Sequence, residues 1–203
     1  MEYNPDKHHR RSIRLKGYDY SQEGMFYVTM CIQNREFLFG KIDNGEMILN
    51  DAGKMVEKWY YELENKFPDI KCGEFVVMPN HFHCIIINTG HMDNVGADLC
   101  VCPFNIKGKT NSNESVLGVE GESVLGVQSE HIGSLLHKIV QWFKTMSTNE
   151  YIRGVKTMGW KRFDGKLWQR NYWEHIIKDD QSFKNISKYI TNNPKNWDAD
   201  KLK

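Results

Sequence analysis

Residues 75–88 read Phe75-Val76-Val77-Met78-Pro79-Asn80-His81-Phe82-His83-Cys84-Ile85-Ile86-Ile87-Asn88, two apolar, β-branched runs interrupted at Pro79-Asn80. A strand covered on both faces shows a continuous apolar run rather than alternation, so this stretch fits a central strand or a tightly joined pair of strands. Strand side chains alternate faces, which puts His81 and His83 on one side and Phe82 on the other, toward a core. Two imidazoles on one face can ligate one metal ion. Flanked by Val76, Val77, Ile85, Ile86 and Ile87, they would be costly to bury without partners, which favours a shared ligand or a cleft edge. The alternative is a pair of hydrogen-bonded histidines at a strand end.

Upstream, residues 25–33 are rich in aromatic and β-branched types, and residues 37–42 and 47–49 flank Asp43-Asn44-Gly45, a hairpin turn signal. From the cap-type residue Asn50, the spacing of Met55, Val56, Trp59, Leu63 and Phe67 predicts an amphipathic helix that stops at Pro68. The first ninety residues therefore alternate strand and helix. Downstream, Leu135, Leu136, Ile139, Val140, Phe143 and Met146 predict a second helix over about 132–148. Residues 168–177 read as extended. Asp179 and Asp180 precede Phe183, Ile186 and Ile190, and Pro194 ends the pattern, which predicts a third helix carrying Tyr189 in its last turns.

Residues 88–130 differ in character: Gly, Asn and Ser abound, and the hexapeptide Glu-Ser-Val-Leu-Gly-Val at 114–119 recurs at 122–127. Two copies so closely spaced cannot build a solenoid, so the stretch reads as a variable loop insertion in a single domain spanning 1–203. Its two lysines against six acids give −4, whereas residues 131–178 hold nine bases and three acids, +6. The near-neutral total of 27 Lys plus Arg against 26 Asp plus Glu thus conceals a basic segment. That segment interleaves Lys138, Lys144, Arg162 and Arg170 with Trp142, Trp160, Phe163, Trp168, Tyr172 and Trp173, and Arg10, Arg11 and Arg14 add charge at the N-terminus. Phosphate-binding charge mixed with stacking surface is what single-stranded nucleic acid requires.

Composition sets the remaining bounds. With 203 residues, 40% hydrophobic and 26% charged, the chain has the balance of a globular domain and not of a disordered one. The longest aliphatic run, Ile85-Ile86-Ile87, is far below the ~20 residues of a membrane helix, and the basic N-terminus lacks the apolar stretch of a secretory signal. Five cysteines, an odd number, suit free thiols in a reducing cytoplasm. Cys100-Val101-Cys102 lacks metal-site spacing and carries no function.

Tyr189, Asn192 and Asn193 stand at i, i+3 and i+4, so a phenol and a carboxamide share a helix face; such a tyrosine is usually packing and Asn before Pro usually a helix stop, so the spacing alone does not select Tyr189. An asparagine ligand would imply a hard ion, magnesium or manganese, rather than zinc.

Three motifs together are more specific. Val76-Val77-Met78-Pro79-Asn80-His81-Phe82-His83, then Leu167-Trp168-Gln169-Arg170-Asn171-Tyr172-Trp173-Glu174-His175-Ile176-Ile177, then Tyr189-Ile190-Thr191-Asn192-Asn193-Pro194 closely resemble the REP-associated tyrosine transposases. These are single-tyrosine HUH nucleases, named for His-hydrophobic-His. The resemblance runs in order along nearly the whole chain, with residues 88–130 outside it. It implies an α+β, ferredoxin-like antiparallel sheet with His81 and His83 on a central strand, Tyr189 as nucleophile on a helix nearby, and Asn193 as third ligand to Mg²⁺ or Mn²⁺. It further implies cleavage and joining of single-stranded or hairpin DNA, from repetitive extragenic palindromes, through a 5′-phosphotyrosine. The expected protein is a cytoplasmic monomer or weak dimer with no membrane or small-molecule partner. Two rivals are a non-catalytic hairpin-binding protein and a small-molecule metallohydrolase using the histidine pair.

Overall fold

The computed structural model describes residues 22–90 and 135–203. Residues 91–130 of the insertion, both of its cysteines, and Arg10, Arg11 and Arg14 lie outside the described residues, whereas Asn88 ends a strand.

The strands are β1 (Gly24–Cys31), β2 (Gly40–Asp43), β3 (Glu46–Leu49), β4 (Ile70–Val77), β5 (His81–Asn88) and β6 (Trp173–Ile177). The α-helices are α1 (Asp51–Lys66), α2 (Leu135–Thr157) and α3 (Asp180–Asn192), the last followed by a 3-10 helix at Pro194–Ala199. The interrupted apolar stretch is thus two strands. β4 and β5 pair antiparallel, Val76 opposite His83, and Met78 donates its N–H to His81 O at 2.8 Å to close the turn.

Strands β4, β5, β1 and β6 form one sheet in that order, and every observed pairing is antiparallel. Two β-α-β units, β1-α1-β4 and β5-α2-β6, interleave so that β1 and β5 are central, which is the ferredoxin-like arrangement. The β2–β3 hairpin forms a separate ribbon, and its turn holds Asn44 and Gly45 at φ 50° and 78°, the left-handed pair a two-residue hairpin requires.

One face of the sheet packs Phe26, Val28, Met30, Phe82, Cys84 and Ile86 against Val56, Tyr60 and Leu63 of α1 and Leu136, Ile139, Val140 and Phe143 of α2. On the other, Tyr27, Ile85 and Ile177 meet Ile190 of α3. Full burial of a side chain such as Phe82 contributes about 2–3 kcal/mol, so central strands apolar on both faces hold the layers together. Asn50 caps α1, its side chain accepting from Gly53 N at 2.9 Å, and Asp179 caps α3, accepting from Ser182 N at 2.7 Å.

Helix α2 extends nine residues beyond the expected end at 148. Its buried stripe continues through Ser147, Tyr151 and Gly154, small or polar-tipped positions that an apolar pattern does not register. Ser147 Oγ donates to Phe143 O and accepts from Trp168 Nε1 at 2.9 Å. Gly154 lies under the Trp160 ring, where a Cβ would come within 2.3 Å of it. Gly159, at φ 70°, ends the segment.

Candidate active site

The α3 face of the sheet carries the histidines. His81 pairs opposite Cys31, and His83 opposite Thr29 on β1. Both imidazoles are buried, their ring centroids 4.6 Å apart. Their Nδ1 atoms are held from behind. Asn80 donates its Nδ2 to Leu202 O at 2.8 Å, which fixes the amide so that Oδ1 faces His81 Nδ1 at 2.7 Å. An amide oxygen only accepts, so Nδ1 of His81 carries the proton and Nε2 the lone pair. His83 Nδ1 meets Tyr27 Oη and Thr29 Oγ1, each at 2.8 Å. Such contacts orient a ligating imidazole.

Burial pushes the His81 pKa down to about 4, Arg35 adding to the effect and Asp200 opposing it. Burial, with the neighbouring His81, also holds His83 well below the usual range. Both rings are therefore neutral at pH 7, the state in which imidazole binds a metal.

The chain's C-terminal end completes the group. After α3, the 3-10 helix buries Trp197 against His81, ring centroids 6.1 Å apart, and turns Asp200 inward. Asp200 Oδ1 accepts from Leu202 N at 2.7 Å, while Oδ2 lies 3.5 Å from His81 Nε2. One ligand atom from each of His81, His83 and Asp200 lies within 4.8 Å of the others, a group that could hold a metal ion. Asn193 is buried beside His81 and Tyr189 and acts on the ionisation of both. His81 Nε2, His83 Nε2, Asn193 Oδ1 and Asp200 Oδ2 are all buried, and among the described residues none has a hydrogen-bond partner. Each such atom costs about 1–3 kcal/mol, and a shared ion offsets that cost. Two imidazole nitrogens with carboxylate and amide oxygens form a donor set that could hold a divalent metal ion.

Tyr189 projects from the last turn of α3, 46% exposed, with its ring centroid 5.5 Å from His83 and 6.3 Å from Tyr27. Burial and the charge of Asp200 raise its pKa, and hydrogen bonding with Asn193 and Tyr27 opposes the rise. The phenol is protonated at neutral pH.

The structure thus brings together Tyr189, His81, His83 and Asn193, and adds Asp200 and Arg35, which sequence reasoning missed. Nothing in the sequence separates Asp200 from Asp198, which is exposed; the phase of the 3-10 helix makes the choice. Arg35 lies just beyond β1, and its charge reaches both His81 and Cys31. The basic residues disperse. Lys138 is exposed on α2, which packs on the opposite face of the sheet, and Arg162 is exposed beyond the end of that helix. Lys144 donates to Gln169 O at 2.9 Å and Asn171 O at 3.1 Å, so its ammonium anchors the loop before β6. Arg170 is exposed in that loop, next to Gln169, whose N–H bonds Cys31 O at 2.9 Å at the His81 end of the sheet.

Among the described residues no helix is long and apolar enough to cross a membrane. No family model matches the chain. An uncharacterized protein of Haemophilus influenzae is 38% identical over 204 residues, covering 99% of this chain and 97% of that protein. Among solved structures, a REP-associated tyrosine transposase bound to a REP hairpin aligns with 89% of this chain and 72% of its own, at 16% identity and TM-score 0.49. A transposase-like protein from Deinococcus radiodurans aligns with 88% of this chain and 95% of its own, at 12% identity and TM-score 0.41.

Proposed function

We propose that this chain, which belongs to one family with its Haemophilus influenzae relative, is a metal-dependent single-strand DNA endonuclease and strand transferase that acts on single-stranded or hairpin DNA through Tyr189. One observation carries the reading: buried, unpartnered His81 Nε2, His83 Nε2, Asn193 Oδ1 and Asp200 Oδ2 lie together beside a half-exposed phenol. The three-motif resemblance supports the same assignment. In this reading the chain is a single cytoplasmic nuclease domain, monomeric or weakly dimeric, with the 88–130 stretch as an insertion.

Mg²⁺ or Mn²⁺ held by His81, His83, Asp200 and Asn193 would polarise the scissile phosphate and offset its developing charge. Tyr189 Oη attacks phosphorus; the new O–P bond forms as the bond to the 3′ oxygen breaks, and the phenolic proton ends on that oxygen as a 3′-hydroxyl. The 5′-phosphate stays on Tyr189, so the phosphodiester can be rejoined by the reverse attack without ATP. Asn193 and Tyr27 orient the phenol, and their hydrogen bonds favour its ionised form. Asn80, Thr29 and Tyr27 hold the two imidazoles by their Nδ1 atoms, which leaves both Nε2 atoms available to a metal ion.

The test is covalent capture: the chain is incubated with Mn²⁺ and hairpin DNA bearing a single-stranded flank, then denatured. The parent protein should retain DNA, with Tyr189 in the labelled peptide, and Tyr189→Phe should retain none while still binding the hairpin. If the parent forms no adduct, the catalytic reading falls.

A further inference from the structure

The basic, aromatic segment holds several tryptophans, and folding disposes of most of them: Trp168 is buried, and Trp142 and Trp160 pack against the core. Trp173 does not follow. It is 48% exposed, an unusual position for the largest apolar side chain, on the first residue of β6. Among the described residues β6 pairs with β1 alone and is the edge of the sheet.

The register fixes which way it points. Trp173 lies opposite Thr29, and Thr29 lies opposite His83, so Trp173, Thr29 and His83 share a row across three strands and a face of the sheet. Two strand spacings put Trp173 about 10 Å from His83 along the sheet. His175, also exposed, is next on the same face of β6, its ring parallel to the Trp173 ring at 4° and 5.9 Å between centroids. Tyr27 packs its ring against that of Trp173 at 5.4 Å and near right angles, and the same Tyr27 touches His83 and Tyr189. Trp173 is thereby braced against the residue that positions the site. Among the described residues, α3 crosses this face over β4 and β5 and reaches β6 at its Ile177 end, while Trp173 and His175 nearer the start of the strand stay exposed. Exposed Arg170 and Lys178 flank the strand, supplying cationic charge at both ends of the edge.

We infer that Trp173, extended by His175, is a stacking platform for an unpaired base of the DNA strand, one adjoining the phosphate that Tyr189 attacks. An aromatic face beside cationic groups binds single strands through the π-face that every base offers and the phosphate charge between them. A duplex hides its bases in the stack, so the platform selects single-stranded DNA at the site and holds it in register with the phenol. This assignment rests on the nuclease reading and names the subsite that reading lacks.

The experiment pairs protein variants with abasic DNA. Fluorescein-labelled hairpin oligonucleotides with a single-stranded flank, each carrying one abasic site, are titrated by anisotropy with the parent chain, Trp173→Ala and Trp173→Leu. Leucine keeps apolar bulk against Tyr27 but has no π-face, so it serves if the alanine variant folds poorly. The expected result is roughly a 5- to 150-fold loss of affinity on removing Trp173, with one abasic position that weakens the parent similarly and the variants no further. A 5-iodouracil placed there should photo-cross-link to the Trp173 peptide. If parent and variants lose equally at every abasic position, the platform is overturned while adduct formation at Tyr189 stands. If the parent binds no DNA, both readings fall.

Discussion

Acidification of the ion-free protein should unfold it in a way that His81 controls. The His81 side chain is wholly buried, between Trp197 and His83, and burial takes its pKa from 6.5 to about 4. In the unfolded chain the imidazole takes up its proton near pH 6.5, whereas the folded chain resists down to about pH 4. The unfolded state therefore binds more protons between those limits, and stability falls as pH falls through that window. Integrated from pH 7 to pH 4, the two pKa values give a loss of about 3 kcal/mol from His81 alone. His83, also depressed, adds to it. Urea titrations with a chelator present, at intervals from pH 7 to pH 4, measure the curve for the parent and for His81→Asn. The variant starts from its own baseline but should lose about 3 kcal/mol less over the window, because carboxylates elsewhere contribute to both proteins alike. Saturating Mn²⁺ should raise the parent's stability through most of the window, because the folded ligand nitrogens stay unprotonated until protons begin to compete for His81 near pH 4. Parallel curves for parent and variant would refute the claim that His81 is held neutral by burial.

His83→Ala should abolish covalent adduct formation while changing hairpin affinity less than about threefold, as measured by capture and anisotropy, because it empties the candidate ion site and leaves phosphate contacts alone. Affinity for hairpin DNA should fall at least about tenfold between roughly 50 and 200 mM salt as counterions are released, and a flat titration would remove the nucleic-acid reading. Gly154→Ala should lower stability by about 1–2 kcal/mol in thermal or urea melts: displacing Trp160 costs about 1–3 kcal/mol, and the better helix propensity of alanine returns up to about 1. An unchanged or raised melting temperature would show that Trp160 moves aside freely.

What the sequence determined by itself lay in local pattern. The alternation around His81-Phe82-His83 set both imidazoles on one face; Asn44-Gly45 specified a two-residue hairpin turn; Asn50 and Asp179 marked the starts of α1 and α3. Each depends on bonds within a few residues, so a linear reading reaches it. The apolar pattern of helix α2 stops short of its true end, because its last turns bury serine, tyrosine and glycine against tryptophans later in the chain. Tyr189 and Asn193 were visible as a helix pair, yet only the motif resemblance singled them out. Tertiary structure alone decided that Asp200 and not Asp198 turns toward His81, since that depends on a 3-10 helix docking Trp197. It also decided which cations and aromatics face the site. Lys138 and Lys144 share a helix, but one is exposed on the far layer and the other is bonded to loop carbonyls; of the tryptophans in the basic segment, Trp173 is the one left open beside His83 and Tyr189. Charge and composition count such residues, but their direction is set by strand register and by which helix covers which face, and those are long-range contacts that no local pattern encodes.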